Sequence, residues 1–372
     1  MRLKGTGMAF DFKTRLAKFE KIPFDPTSKE EWAPLLQTSV EQFALHSGGR
    51  SKARGVPGYR VDIAISEDVK YNALATTDDK GDLVVTSANL PLALEAIFKR
   101  ALCFKSVIPF AGSFDEDHID PEPVNRSDLI YFLDSNVPRI GFPSDETRSR
   151  LASHLTVVAM DFVFEHELGH IWNGHTSLFR SHGLSAIEEI EKKPDSRIPK
   201  IDLQTLEMDA DAFAGTAMSG RTYSEHTWLP AFPKWEDEFG VGSTYLMLRM
   251  FAVYLALRCM DEAATLAKVE MRKHPPIYVR HFIILASWMG AISRSTGRDV
   301  NELYKMHPYV AGAAENTFAA LTGREVDLSG LNMAFSAEAR EYHKSLLKNW
   351  ALLRPQLDTL KRGGNLAPVS EF

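Results

Sequence analysis

The residues best suited to chemistry are two histidines four positions apart with a glutamate between them. His166, Glu167 and His170 stand in the run His-Glu-Leu-Gly-His. On an α-helix, residues four apart lie on the same face, so both imidazoles can bind a single ion. Glu167 lies about 100° around the helix from His166, where it can take a proton from a metal-bound water. The spacing therefore predicts one Zn²⁺ per chain, held by His166 and His170, with Glu167 as the general base.

The helix that carries this motif is expected to be buried. It is predicted to begin at Ser144, because a serine hydroxyl can cap free amides, and to end at Asn173-Gly174. Two histidines and a glutamate inside a buried helix cost several kcal/mol unless a partner such as a metal compensates them. Core histidines with ordinary hydrogen-bond partners are the alternative. The turns before His166 are apolar on nearly every side: Val157, Val158, Met160, Phe162, Val163 and Phe164.

A catalytic zinc site also needs a third protein ligand and an open position. A second helix after Pro199, capped by Asp202, carries acidic residues beside an apolar stripe. We expect Glu207 to be the third ligand, and Asp211, one turn later, to accept the free ring N–H of a ligating histidine. Asp209 points away from that face and is expected in solvent. For Glu207 and Asp211, the alternative is an ordinary solvated face of the helix.

His175 is a second candidate for the third ligand. Zincins that use a third histidine follow the pattern H-E-x-x-H-x-x-G-x-x-H. This chain has Asn173 and Thr176 where that pattern requires glycine and histidine. His175 is therefore expected to follow the helix end at Gly174 as a surface group or a supporting group.

The remaining pattern predicts an α+β fold dominated by helix. Alternating apolar residues at 61–65, 72–77 and 83–86, with a turn at 78–82, predict a small antiparallel sheet that ends in a hairpin. Residues 109–143 are rich in Asp, Pro, Asn and Gly and are expected to form a loop beside the cleft. The predicted organisation is a lead segment at 1–56, a zincin-like metallopeptidase domain at 57–290 and a helical C-terminal region at 291–372, which includes a helix at 337–360.

Composition excludes several other classes of protein. The 372 residues carry a formal charge of -6 without a basic cluster, so a nucleic-acid partner is not expected. Cys103 and Cys259 lie far apart in apolar stretches and are predicted to be buried thiols of a reduced compartment. The N-terminus lacks the apolar run of a secretory signal, and the apolar stretch 245–257 is too short to span a bilayer. We therefore expect a cytoplasmic protein without membrane association.

The motifs together resemble those of the gluzincin metallopeptidases, particularly the HtpX and CAAX-prenyl endopeptidase group and its soluble relatives. The soluble phage-exclusion peptidases of the Lit type, which cleave a host translation factor, are a second resemblance that fits the absence of a signal. The residues that carry the gluzincin likeness are His166-Glu167-Leu168-Gly169-His170, Glu207-x-x-x-Asp211, Asn72-Ala73, Leu83-Val84-Val85-Thr86 and His274-Pro275-x-x-x-x-Arg280.

The resemblance implies roles for residues outside the metal motif. The hairpin strand would be a sheet edge that binds a peptide by β-augmentation, through Asn72, Val84, Val85 and Thr86. His274 or Arg280 would stabilise the oxyanion or support the site. For His274, a simple role at a helix start beside two prolines remains the alternative.

The expected function is that of a zinc-dependent endopeptidase acting on a protein or peptide substrate. In this mechanism a water activated by zinc attacks the peptide carbonyl after Glu167 has taken its proton. Two alternatives stay open: a zincin-like regulatory or binding protein with little proteolytic activity, and a metal-dependent hydrolase of a non-peptide bond. A purely structural zinc site fits least, because three ligands leave a position open for water.

Overall fold

A computed structural model describes residues 12–18, 21–23, 61–68, 71–131, 143–183, 187–188, 197–219, 242–260 and 269–369. Most of the predicted lead segment 1–56, and residues 132–142 of the predicted loop, lie outside the described residues. The described part is α+β and mainly helical, which confirms the predicted fold class. In chain order the elements are α1 (Phe12–Ala17), β1 (Val61–Ser66), β2 (Ala73–Asp78), β3 (Gly81–Ser87), α2 (Asn89–Ala101), α3 (Arg126–Ile130), α4 (Glu146–Trp172), α5 (His175–Ser181), β4 (Ile187–Glu188), α6 (Lys200–Ser219), α7 (Ser243–Met260), a 3-10 turn (Val269–Met271), α8 (Ile277–Thr296), α9 (Val300–Tyr304), α10 (His307–Thr322), α11 (Ser329–Ala334) and α12 (Ala337–Leu360).

The sheet is mixed, with the strand order β1-β3-β2-β4. Strands β2 and β3 form the predicted antiparallel hairpin, but β1 pairs with β3 in parallel. Val84 therefore has Ile63 opposite it on one side and Ala75 on the other. The sheet is not purely antiparallel as predicted, and β3 lies inside it. The apolar run in β3 suits a central strand, which is covered on both faces.

Helix α4 is the longest element and lies at the centre of the helical core. It packs against α2, α6 and α7, and its second half is buried on every side. Its first residue is Glu146, capped by the Asp145 side chain, which accepts from the backbone N–H of Arg148. The predicted cap at Ser144 is thus one residue early, since the longer Asp145 carboxylate reaches the free amide. The helix ends before Asn173, as predicted.

A buried arginine at the start of α4 holds the segment that follows α2. Arg148 is 1% exposed, and its guanidinium donates hydrogen bonds of 2.7–3.1 Å to five backbone carbonyls. One arginine thus supplies donors to five carbonyl oxygens of a buried segment. Two of these oxygens, those of Phe104 and Ile108, also accept from backbone N–H groups. The five accepting residues are Leu102, Phe104, Val107, Ile108 and Ala111.

Helix α6 runs between α4 and α8 and approaches both closely. A Cβ at Gly169 of α4 would lie 3.2 Å from the backbone of Ala210, and one at Gly215 would lie 2.6 Å from the Ile284 carbonyl of α8. The glycines therefore permit the close packing that brings the side chains of the three helices together. Asp202, predicted as the cap of α6, instead lies in its first turn and accepts a hydrogen bond from Asn349.

The apolar stretch predicted as a core helix is α7. Nearly all of its residues are buried against α4 and α10, as expected. Among the described residues, none of the helices combines the length and the apolar character that crossing a membrane requires. Cys103 and Cys259 are both buried thiols, as predicted.

The segment after α12 covers the end of α4. The backbone N–H groups of Arg362 and Gly364 both donate to the carbonyl oxygen of Trp172, the last residue of α4. The Arg362 side chain donates to both carboxylate oxygens of Asp82 in β3 at 2.7 Å. The segment from Lys361 to Ala367 therefore ties the C-terminal end of α4 to the sheet.

Candidate metal centre

Helices α4 and α6 bring two histidines and a glutamate to one point. His166 Nε2 lies 3.0 Å from His170 Nε2, and Glu207 places one carboxylate oxygen 3.2 Å from the former and the other 3.5 Å from the latter. All three side chains are at most 6% exposed. Within the described part of the chain, their ligand atoms lie within 4.8 Å of one another and could hold a metal ion. The structure thus brings together the three residues that the sequence predicted as ligands.

The outer nitrogen of His166 meets the predicted supporting carboxylate. His166 Nδ1 lies 2.9 Å from Asp211 Oδ1, and Asp211 is completely buried. Arg280 of α8 donates from Nε and Nη2 to the two oxygens of Asp211 at 2.9 and 3.0 Å. Asp211 therefore orients His166, while Arg280 balances the charge of Asp211. The structure thus places Arg280 behind Asp211, and the role that the resemblance implies for Arg280 stays a prediction.

The outer nitrogen of His170 meets a group that the sequence analysis left undecided. His175 is completely buried, and its Nδ1 lies 2.9 Å from His170 Nδ1. On the other side of the ring, His175 Nε2 lies 3.1 Å from Asp209 Oδ2, and Asn173 donates to the same oxygen. Asp209 is 4% exposed, so its predicted position in solvent is wrong. It points away from the ligand face, as predicted, but α5 and the segment after α12 cover that side of α6.

The chemistry of this donor set fits a cation. With both Nδ1 atoms engaged by outer partners, the two imidazoles direct Nε2 lone pairs towards each other and towards a carboxylate. Three converging acceptors repel one another, and a positive charge between them, supplied by a proton or a metal ion, compensates that repulsion. The residues present therefore fit a metal ion bound by His166, His170 and Glu207.

The electrostatics of the site support this interpretation. Burial alone would lower the pKa of His166, but contacts with Asp211 and Glu207 hold that pKa well above its ordinary value. Burial would raise the pKa of Glu207, yet His274 and the two ligand histidines hold it well below. Burial lowers the pKa of His170 well below the ordinary value. A basic His166 beside an ionised Glu207 forms a strong electron-pair donor set, from which a metal ion would displace a proton.

His274 completes the ring of polar groups around Glu207. Its Nδ1 lies 3.0 Å from Glu207 Oε2, in the loop just before α8. Its side chain is 21% exposed, more than that of either ligand histidine. His274 therefore lies on the more open side of the site, whereas Arg280 lies on its buried side, next to Asp211. Glu167 is 2% exposed and precedes His170 on the same helix.

The predicted peptide-binding edge is not present on β3. Because β3 is paired on both sides, the backbone of Val84, Val85 and Thr86 already forms sheet hydrogen bonds with β1 and β2. These side chains and that of Asn72 are also at most 6% exposed. The prediction that these four residues bind a peptide by β-augmentation is therefore wrong. The parallel strand β1, which directly precedes the hairpin in the chain, occupies the side of β3 where a substrate strand was expected.

A His-x-x-x-His pair on α4 and a glutamate on α6 define a candidate hydrolase metal site in an α+β fold. The chain matches the family model of peptidase U49 over residues 76–290, which is more than half of its length, and it belongs to that family of Lit-like peptidases. No curated protein and no solved structure matches the chain. Membership of this family identifies the protein as a peptidase, as the sequence motifs predicted. Of the two resemblances seen in the sequence, the family match supports the one to the Lit-type peptidases.

Proposed function

We propose that this peptidase is a zinc-dependent endopeptidase. The observation that carries the proposal is the convergence of two Nε2 atoms and one carboxylate at separations of 3.0, 3.2 and 3.5 Å. Tetrahedral zinc with bonds of about 2.0–2.1 Å places its ligand atoms about 3.3 Å apart. The three side chains stand at that spacing, with their outer atoms engaged by other residues.

Zinc bound at His166, His170 and Glu207 would supply the Lewis acidity that activates a water and polarises a peptide carbonyl. Glu167 is the base in this proposal, because it lies beside the ligands on α4 and its carboxylate is buried with them. It accepts the proton of the attacking water and passes it to the leaving amine. The products are a new carboxylate and a new amine, as peptide hydrolysis requires.

We assign His274 the role of a hydrogen-bond donor to the substrate. It contacts Glu207 through Nδ1 and lies on the more open side of the centre. A ring N–H in this position can donate to the oxygen of the scissile carbonyl as negative charge develops there. Arg280 is assigned a supporting role, because both of its contacts to Asp211 are buried.

Metal analysis and cleavage mapping of the purified protein and its Glu167→Gln variant test this function. We expect about one zinc per chain in both proteins, because Glu167 is not a ligand. Turnover should fall by roughly 100-fold or more in the variant, the usual scale for loss of an acid–base group. Protein termini that appear with the wild type and disappear with the variant would identify the substrate.

Glu146→Gln is the matched control, since Glu146 lies at the exposed start of the same helix. It should retain both metal and activity. Full activity of Glu167→Gln, or cleavage that survives complete removal of metal by a chelator, would refute the proposed mechanism.

A further inference from the structure

The proposed metal ligand His170 is held from behind by a buried row of polar side chains. This relay consists of His175, Asp209 and Asn173, and its heavy-atom separations are 2.9, 3.1 and 2.5 Å. We propose that His175 and Asp209 position His170 for metal binding by fixing which of its ring nitrogens carries the proton. The inference rests on the metal centre of the proposed function, but on no assumption about the substrate.

The position of the proton on each histidine ring of the relay can be derived by starting at Asn173 and moving towards His170. The Asn173 amide can only donate from Nδ2, so Asp209 Oδ2 acts as an acceptor there. The same oxygen lies 3.1 Å from His175 Nε2 and can only accept there, so the proposal places the ring proton of His175 on Nε2 and leaves its Nδ1 as an acceptor. His170 must donate its Nδ1–H to that atom. His170 Nε2 consequently presents a lone pair to Glu207 and to a metal ion.

The relay differs from the support given to His166. There a carboxylate touches the ring directly, and Arg280 neutralises that carboxylate. Here an imidazole stands between His170 and the carboxylate of Asp209, and Asn173 is a neutral partner. A hydrogen-bonded partner on the outer nitrogen of a ligating histidine fixes its tautomer and raises its basicity. The two proposed metal ligands therefore have different kinds of partner on their outer nitrogens.

Local backbone geometry explains how His175 reaches His170. Gly174 has φ = 89°, a left-handed conformation that favours glycine, and it turns the chain from the end of α4 into α5. A Cβ at Gly174 would lie 2.8 Å from the backbone of Leu360 and Lys361. The end of α12 thus presses on the turn that brings His175 back beside His170.

The far end of the relay is open to small molecules. Asn173 and Asp209 line a cavity of about 590 Å³ between α6, α8 and residues 365–368. A small carboxylic acid such as formate can enter a cavity of this size. Removal of the Asp209 carboxylate should therefore create a defect that an added carboxylate can repair.

The test measures the affinity for Zn²⁺ alone, by competition with a chelating dye, and the visible spectrum of the Co²⁺-loaded protein. His175→Leu and Asp209→Ala should each weaken zinc binding roughly 10- to 100-fold and alter the Co²⁺ spectrum. His175→Gln should retain most of the affinity, because one amide can accept from His170 and donate to Asp209. Formate should restore affinity to Asp209→Ala and leave His175→Leu unchanged. His182→Gln, in the exposed turn after α5, is the control and should bind zinc like the wild type.

Thermal unfolding of each variant, measured after a chelator has removed the metal, establishes that the variant is folded. Wild-type affinity in folded His175→Leu would overturn the proposal, and so would an equal loss in His175→Gln and His175→Leu, which indicates packing alone. Failure of formate to act on Asp209→Ala would overturn the part assigned to Asp209. Zinc binding of the wild-type protein is measured before any variant is compared. A wild-type protein that binds no zinc would overturn the proposed function rather than the role of the relay.

Discussion

Arg280 balances the buried negative charge of the candidate centre, and its replacement by methionine tests that role. The guanidinium is 6% exposed and makes two hydrogen bonds, of 2.9 and 3.0 Å, to the fully buried Asp211 carboxylate. A hydrogen bond to a charged group contributes roughly 1.5–3 kcal/mol, so two contribute about 3–6 kcal/mol. Removal of one partner from a buried ion pair costs about 3–5 kcal/mol. We therefore expect Arg280→Met to lower the free energy of unfolding by about 3–5 kcal/mol.

The measurement is equilibrium unfolding in urea, followed by far-ultraviolet circular dichroism with excess chelator so that metal binding does not contribute. Asp211→Asn and the double variant complete a thermodynamic cycle. The double variant should cost less than the two single changes together by at least about 1.5 kcal/mol, because the neutral amide that replaces the Asp211 carboxylate no longer requires a cation. Arg294→Met, an exposed change on the same helix, should stay within about 0.5 kcal/mol of the wild type.

Two results would refute this reasoning. One is a cost below about 1 kcal/mol for Arg280→Met, which is the range of exposed ion pairs. The other is additivity of the two single changes, which would mean that the two side chains act independently despite their contact. Either result would remove Arg280 from the support of the metal centre.

Three further outcomes are expected. Asp211→Ala should weaken zinc binding roughly 10- to 100-fold in a competition titration, because His166 loses the partner of its outer nitrogen; unchanged affinity would contradict this. Arg148→Met should lower the free energy of unfolding in urea by about 4 kcal/mol or more, because five buried carbonyls each lose a hydrogen bond from the guanidinium; a cost below about 1 kcal/mol would contradict it. Burial lowers the pKa of His307 from 6.5 to about 4, so the folded state binds fewer protons than the unfolded state between these pH values. The free energy of unfolding should therefore fall by on the order of 3 kcal/mol as the pH drops from 6.5 to about 4. His307→Asn should remove about that part of the pH dependence in unfolding series at several pH values, and it should leave the part that comes from His281, whose pKa burial also lowers. An unchanged slope would speak against the prediction.

The features that could be predicted from the sequence are those set by local periodicity. The apolar turns before His166 predicted the buried helix, and Asn173-Gly174 predicted its end; both agree with α4. Glu207 and Asp211 could be placed because one apolar stripe fixes which face of α6 turns inwards. The hairpin of β2 and β3 followed in the same way from alternation and a short turn.

The features that could not be predicted depend on contacts between distant segments. Strand β1 pairs in parallel with β3, and no local pattern specifies such a partner, so the position of β3 in the sheet was missed. Asp209 looked solvated because its face of α6 carries no apolar stripe, but His175 and Asn173 cover it with polar groups. A polar residue buried by polar partners leaves no hydrophobic signal in the sequence. The only local hint was the glycine turn at Gly174, which reverses the chain beside His170.

The contacts of Arg362 and Gly364 with the last carbonyl of α4 make the packing of that helix end depend on residues that are translated much later. Both residues lie beyond the part of the chain that matches the peptidase family, and far beyond the proposed ligands. A ribosome therefore completes α4 and α6, which carry the proposed ligands, long before it supplies the segment that fixes the end of α4. Until that segment emerges, the turn at Gly174 and the relay behind His170 lack the backing of α12. The end of α4 and the turn at Gly174 can therefore reach their final packing only after the chain has been translated past Gly364.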